Sequence, residues 1–463
     1  MAKLVPDPLA DGGIAGFGGA FRKRRTTSEA ATKAYLDRIQ AVDKRLGSYE
    51  HVAVDAAIRQ ARAIDALFAA GTDLGPLMGV PVAIKDLIQV DGMPATAGSN
   101  LDVASLIGPE GPFIKRLKQL GVVILGKVKT VEFAMGGTGI NLARGTPWNP
   151  WDAKAHRITG GSSSGSAVAA IAGLAGFAIG SDTGGSVRLP AFSGTFALKT
   201  THGLWPTDGV SALSPSLDSL GPMTRTAADA AVVFAAYQGI ATPRPASARG
   251  LRFGRPSNHF FDDLEPAVAA CAAAALDKLA KAGVEIVEFS FPEIAEHRQM
   301  ILATVTAEFI AVMGRERFLA SRDSMDPDVW SRLEPGLAVK ADDYVRFQRQ
   351  RVEHGRLAMS RMEGLDGWIM PTNPMTALTL ESILNPKGGR PKYIDNMGRN
   401  TYSANLMGLC ATTTPIQQLT GTTLPIGFQL MCPGGDDARA LSIALFFEEL
   451  FGRPPVPALE PFL

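Results

Sequence analysis

An α/β fold is what this sequence predicts. The grounds are two recurrences of a strand, helix, strand order and a Gly- and Ser-rich centre that encloses an apolar segment. The chain opens with Thr26 to Glu29, which reads as a capping box, followed by Tyr35, Ile39, Val42 and Leu46 at helical spacing. A second helix is expected over Val54 to Ala70, with Ala57, Ala61, Ile64 and Phe68 on one face. In the first recurrence, Gly79-Val80-Pro81-Val82-Ala83-Ile84 is an apolar run ending at Lys85. Pro112 then opens a helix carrying Phe113, Leu117 and Leu120, and Val122 to Leu125 is the next run. Between Ile158 and Leu198 stand nine Gly and seven Ser but only two charged residues, Asp182 and Arg188. The Gly and Ser runs flank Ala167 to Ala178, which can form a buried helix, so they read as tight turns inside a core rather than a linker. The second recurrence is Leu251 to Phe253, then Leu264, Val268, Cys271, Leu276 and Leu279 at helical spacing, then Val284 to Phe289, with Gly283 at the helix C-cap. Residues 291–362 read mainly as helices that pack on the core or cover a pocket. Ile369 to Met370 and Ile426 to Leu430 look like late strands returning to the sheet. The expected organisation is an N-terminal helical layer over 1–70, a core over 71–240, and a part over 241–463 completing that core.

Composition narrows the classes of function. Lys plus Arg number 46 against 45 Asp plus Glu, so there is no global field to draw a polyanion, and a nucleic-acid partner is not expected. The short basic cluster Arg22 to Arg25 reads as the solvated flank of a helix start. Cys271, Cys410 and Cys432 are odd in number and far apart, which indicates neither a disulfide framework nor a zinc cluster. With no signal-like N-terminus and no long apolar span, a cytoplasmic protein without a membrane partner is expected.

The chemistry concentrates at two serine clusters and one lysine. Ser162 lies in Gly160-Gly161-Ser162-Ser163-Ser164-Gly165 and Ser186 in Asp182-Thr183-Gly184-Gly185-Ser186. Hydroxyls in an uncharged stretch of a core are hydrogen-bonded or reactive, although serines beside glycines also serve as caps and turns. Two glycines before Ser186 let successive backbone N–H groups converge on one oxygen, so Thr183, Gly184, Gly185 and Ser186 are candidate oxyanion-hole donors. A serine needs a proton acceptor. Lys85, at the end of an apolar strand, is the candidate base, because desolvation there would favour a neutral amine; a plain ion pair with Asp86 is the alternative.

Together these segments resemble the amidase signature family. The resemblance is carried by Gly79 to Asp86, Glu132-Phe133-Ala134-Met135-Gly136, Gly160 to Ser163 with Gly165-Ser166-Ala167, and Ser181 to Pro190. It continues through Ser216-Leu217-Asp218, Gly221-Pro222-Met223, Arg225-Thr226, Asn405-Leu406 with Gly408, and Leu424 to Gln429. It implies an α/β/α sandwich with a large mixed central sheet covered by helices on both faces. It further implies an amidohydrolase that cleaves a small carboxylic amide to acid plus ammonia or amine through an acyl-serine. Lys85 would be the base, Ser162 a bridging serine held by a cis peptide, and Ser186 the nucleophile. Met135, Gly136 and Gly137, within the stretch Met135 to Thr138, would line the substrate pocket. Asp182 and Arg188 would hold the nucleophile turn. No cofactor or metal is implied. The partners would be a small-molecule amide, water and a second copy in a homodimer.

The chain departs from that pattern at three places. Ser164 stands where Gly is usual. His202 falls in Lys199-Thr200-Thr201-His202-Gly203, where it would tune the pocket or simply be satisfied in a loop. Gly398 stands where the glutamine-using members, the A-type chains of the tRNA-dependent amidotransferases, carry an Asp for the α-amino group of glutamine, which disfavours that role. Gly161 to Gly165 also matches G-x-S-x-G, which would make Ser163 a nucleophile on a strand-to-helix elbow. Esters or hydrazides would pass through the same acyl-serine. Phe309, Met313, Phe318, Trp330 and Phe347 would favour an apolar or aryl acyl group if they reach the pocket, and a small neutral amide is expected over an acidic one.

Overall fold

Apolar and β-branched runs bounded by Gly, Pro and charge become eleven strands in the computed structural model, which describes residues 4–463. The first three residues of the expected N-terminal layer lie outside that range. The strands are β1 (Tyr49–Val52), β2 (Pro81–Lys85), β3 (Val123–Val128), β4 (Phe177–Asp182), β5 (Phe196–Lys199), β6 (Ser219–Thr224), β7 (Arg252–Pro256), β8 (Glu285–Phe289), β9 (Gly367–Pro371), β10 (Cys410–Pro415) and β11 (Gly427–Cys432). They form one mixed sheet in the order β1-β3-β2-β4-β6-β5-β10-β11-β9-β7-β8. The pairs β2–β3, β2–β4, β7–β8 and β7–β9 are parallel, and the rest are antiparallel. β2, β3, β4, β5, β6, β9, β10 and β11 are buried along their whole length, whereas the edge strands β1 and β8 are only partly so. Burial on both faces is what a sheet covered by helices on each side requires. The fold is the α/β/α sandwich that the sequence implies.

Both strand, helix, strand recurrences are present. Pro112 is at the first turn of helix Pro112–Gln119, and helix Pro266–Lys281 ends before Gly283, whose φ of +83° suits a glycine after a helix C-cap. The expected boundaries move in two places. Thr27, not Thr26, caps helix Ser28–Leu46, its side chain accepting from Ala30 N at 3.0 Å. The apolar segment Ala167 to Ala178 does not form one helix. Helix Ser164–Ile171 stops, the chain turns at Gly173 with φ +60°, and Phe177 enters β4. Tyr49–Val52, expected within a helical layer, pairs antiparallel with β3 as the sheet edge. β2 and β4 run side by side in parallel, Ile84 opposite Ile179. Lys85 and the loop after Asp182 therefore emerge at the same C-terminal edge of the sheet, the usual place for chemistry in such sheets.

Candidate active site

Lys85 ends β2 fully buried, and its Nζ donates to Ser162 Oγ at 2.8 Å and to Ser181 Oγ at 2.8 Å. Burial lowers its pKa to about 7, against the opposing pull of the Asp182 and Asp218 carboxylates. The adjacent Asp86 is not its partner. Successive side chains alternate in direction, and Asp86 forms a buried ion pair with Lys127 at 2.8 Å. Lys85 is thus a buried amine whose hydrogen-bond neighbours are hydroxyls.

The turn before helix Ser164–Ile171 is held by its backbone. The Gly161–Ser162 peptide is cis, and Ser162 O accepts from Val131 N and Thr130 Oγ1, both at 3.1 Å. A Cβ on Gly161 would lie 2.7 Å from Gly139 N, so this close approach of two chain segments demands glycine. Ser163 is fully buried, and its Oγ donates to Ser181 O at 3.2 Å. Residues 155–159 form no strand beyond a bridge at Arg157. The elbow reading of Ser163 therefore lacks both the strand and an accessible hydroxyl. Ser164 sits in the first turn of the helix with its Oγ 3.5 Å from Lys129 O.

The loop carrying Ser186 is organised by Asp182 and Arg188, both completely buried and paired at 3.0 Å. Asp182 also accepts from Gly185 N at 2.8 Å, Val187 N at 3.1 Å and Asn405 Nδ2 at 2.8 Å. Burial alone would raise this carboxyl; Arg188, Lys199 and Asn405 together hold it at about 2. Arg188 reaches on to Thr401 O, Gln429 Oε1 and Asn405 Oδ1 at 2.9, 2.7 and 2.6 Å. Gly185, expected among the oxyanion donors, gives its N–H to Asp182 instead. Its φ is +129°, and a Cβ there would lie 2.2 Å from Thr401 Oγ1. Thr183 Oγ1 donates to Asp218, which burial pushes up to about 6. Ser163 N donates to Ser186 O at 3.3 Å, tying the two serine loops together.

Ser186 opens onto a cavity of about 390 Å³ whose lining includes Met135, Gly136, Gly137, Thr183 and Gly184. Two consecutive non-glycine residues beside it, Phe133 and Ala134, have φ of +49° and +61°. Such strain concentrates where structure serves a site. The opposite wall comes from helices His297–Met313 and Pro327–Leu333, through Ile301, Leu302, Val305 and Ser331. Phe309, Met313, Phe318, Trp330 and Phe347 do not line it. They are buried in the main core, where Phe318 stacks on Trp330 at 4.1 Å, so the aryl preference drawn from them falls away. His202 is exposed, bonded to Pro215 O at 3.0 Å, and also outside the cavity lining. Ser181, Asp218, Thr401 and Asn405 are polar partners that sequence reasoning left without a role; all but Thr401 lie in family motifs, the one signal that pointed to them. Among the described residues no group of three or more His, Cys, Asp or Glu is placed to hold a metal.

The model of the family described as Amidase matches residues 30–441. The chain belongs to the amidase family. An amidase of known crystal structure superposes with a TM-score of 0.87 at 27% identity, over 95% of this chain and all of the other. The peptide amidase of Stenotrophomonas maltophilia does so with a TM-score of 0.82 at 26% identity, over 98% of this chain and all of the other. In sequence, the chain is 39% identical to the 2-amino-5-chloromuconic acid deaminase of Comamonas testosteroni, covering 93% of this chain and 94% of that one. It is 34% identical to the A-type chain of the glutamyl-tRNA(Gln) amidotransferase of Salinispora arenicola, covering 95% and 97%. As a member of the amidase family the protein is a hydrolase acting on the C–N bond of amides. No helix among the described residues is long and apolar enough to cross a membrane.

Proposed function

We propose that Ser186 is the nucleophile of this amide hydrolysis and that Lys85 takes up its proton by way of Ser162. The supporting observation is a fully buried amine, lowered to about 7, that lies 2.8 Å from Ser162 Oγ and has no ion-pair partner among the described residues. An amine in that state has a lone pair to offer at neutral pH.

Neutral Lys85 takes the hydroxyl proton of Ser162 as Ser162 takes that of Ser186, and Ser186 Oγ attacks the amide carbon. The carbonyl electron pair moves to oxygen, where the N–H groups of Thr183, Gly184 and Ser186 receive the charge. Collapse breaks the C–N bond, the relayed proton goes to nitrogen, and ammonia or an amine departs. Water then attacks the acyl ester by the reverse route and releases the acid. Ser186 lines the cavity, and no hydrogen bond joins its Oγ to Ser162 among the described residues; the relay requires that contact to form when substrate binds, as catalytic hydrogen bonds commonly tighten only in the complex. Met135, Gly136 and Gly137 border the acyl group, while Asp182 and Arg188 act as positioning residues. A cytoplasmic homodimer belongs to the same proposal, and light scattering on the purified chain tests the dimer.

The deciding experiment traps the intermediate. After brief incubation with a slow amide substrate, intact mass is expected to rise by one acyl group, mapped to the peptide carrying Ser186. Ser186→Ala should lose both the adduct and about 10⁴-fold or more of turnover with its thermal unfolding unchanged. Persistence of either in that variant would overturn the assignment.

A second reading, the glutamine-using chain of an amidotransferase, is favoured by the 34% identity to the Salinispora arenicola protein. Against it, the space beside Gly398 is filled: a Cβ there would lie 2.7 Å from the Tyr402 hydroxyl and ring edge. An acidic side chain for an α-amino group has no room unless Tyr402 moves. Ammonia release by the chain purified alone supports the hydrolase.

A further inference from the structure

Amide hydrolysis as proposed uses the inner end of the cavity and leaves its charged rim unexplained. Helix His297–Met313 presents Arg298, Ile301, Leu302 and Val305 to the cavity, a spacing of i, i+3, i+4 and i+7 that marks a single helix face. Three of these side chains are apolar and the fourth is a cation. The rim carries five charged residues in all: Arg298, Arg332 and Arg390 against Asp328 and Asp395. Two pairs neutralise each other, Arg332 with Asp328 at 2.9 Å and Arg390 with Asp395 at 2.8 Å. Arg298 has no carboxylate within ion-pair distance among the described residues.

This charge is not remote from the chemistry. Arg298 and Arg332 both act on the phenol of half-buried Tyr402, which loss of solvent raises and the two cations pull the other way. The Tyr402 ring lies against the nucleophile loop, where a Cβ on Gly184 would be 3.4 Å from its Cδ1. From Ser186 outward, the cavity therefore runs from backbone donors through an apolar stretch to an unanswered guanidinium.

We propose that Arg298 receives a carboxylate carried by the acyl chain of the substrate, so that the substrate class is the monoamides of short dicarboxylic acids. A guanidinium fork matches a carboxylate in geometry and charge, whereas the expected small neutral amide would leave it unused. The apolar side chains between the two ends cover the methylenes, and Ser186 receives the amide carbon. The inference rests on amide hydrolysis at Ser186.

Two measurements test it. Ammonia release is compared between the monoamides of four- to six-carbon dicarboxylic acids and neutral alkyl amides of equal length. The acidic series should be preferred in kcat/KM by about 100-fold, the preference shrinking with added salt. Arg298→Gln should collapse that ratio through KM, and Arg298→Lys should restore part of it. Independently of turnover, glutaramic acid should bind Ser186→Ala about 100-fold more tightly than it binds Ser186→Ala/Arg298→Gln. Ammonia from neutral amides with no acid preference, or a ratio and an affinity indifferent to Arg298, overturns the inference and leaves amide hydrolysis standing. No ammonia from either series overturns both.

Discussion

On the floor of the cavity the buried charges have answers, whereas on its cover the charges are half exposed and one is left over. Asp182 and Arg188 are completely buried and share Asn405 as a further partner, and Arg188 also donates to Thr401 O and Gln429 Oε1. Arg332 on the cover keeps about a third of its side chain exposed, and Leu302 beside it is 38% exposed. Low dielectric makes the floor rigid and its pKa values unusual; contact with solvent leaves the cover free to change without unfolding the protein.

The largest effect expected from breaking this contrast comes from two of its buried lysines, Lys85 and Lys127. Lys85 sits among hydroxyls and Lys127 is paired with Asp86. Lys85→Met should cost on the order of 10³-fold in kcat/KM while leaving the fold intact, because a proton acceptor is lost but no buried charge is orphaned. The wild-type rate should fall as pH drops through about 7, where Lys85 takes up a proton and its lone pair disappears. That inflection should be absent from the residual rate of the variant. Lys127→Met should do the reverse: it strands the Asp86 carboxylate, costing about 3–5 kcal/mol of stability in urea unfolding, with the pH profile of activity retained. Equal pH profiles in wild type and Lys85→Met would remove Lys85 from the proton path.

Next in size is the pair that holds the Ser186 loop. Asp182→Asn leaves the Arg188 guanidinium buried without its counter-ion, so urea unfolding should shift by about 3–5 kcal/mol. The sign of the pH effect follows from the carboxyl held at about 2. Its stabilisation is full above the ordinary carboxylate range near 3.8 and is lost as pH falls through 2. Wild type and variant should therefore converge in stability at the acid end. A gap that stays constant down to about pH 2 would show that the pair acts by packing rather than charge.

The same contrast explains what could be read from the chain. The floor is written locally: Gly161 and Gly185 are glycines because a Cβ would strike Gly139 N and Thr401 Oγ1, so the packing is printed as a Gly and Ser pattern around Ser162 and Ser186. The partners of that pattern were harder to find, since Asp218 and Asn405 reach it from 35 and 223 residues away. β10, Cys410-Ala-Thr-Thr-Thr-Pro, carries no strand signal in the sequence, because a strand buried on both faces shows no alternation. The adjacent threonines at 26 and 27 offer the same cap chemistry, and only backbone geometry selects the second. The cover misled for another reason. Its helices have two apolar faces, one toward the core and one toward the cavity, and composition does not say which holds Phe309 and which holds Leu302.

The smallest expected effect sharpens that last point. Leu302 lines the cavity and is partly exposed, so Leu302→Ala removes apolar contact from a bound acyl chain without opening a sealed core cavity. Stability should change by less than about 1 kcal/mol, as surface substitutions do. Selectivity should move more, because each methylene that loses a partner weakens binding of the longer acyl chains and leaves the shortest untouched. A roughly three- to tenfold rise in KM for six-carbon over three-carbon amides, with kcat nearly constant, is the expected signature. If KM rises equally for both lengths, Leu302 shapes the cover as a whole rather than a path for the acyl chain, and the apolar stretch between Ser186 and the rim is not where the substrate lies.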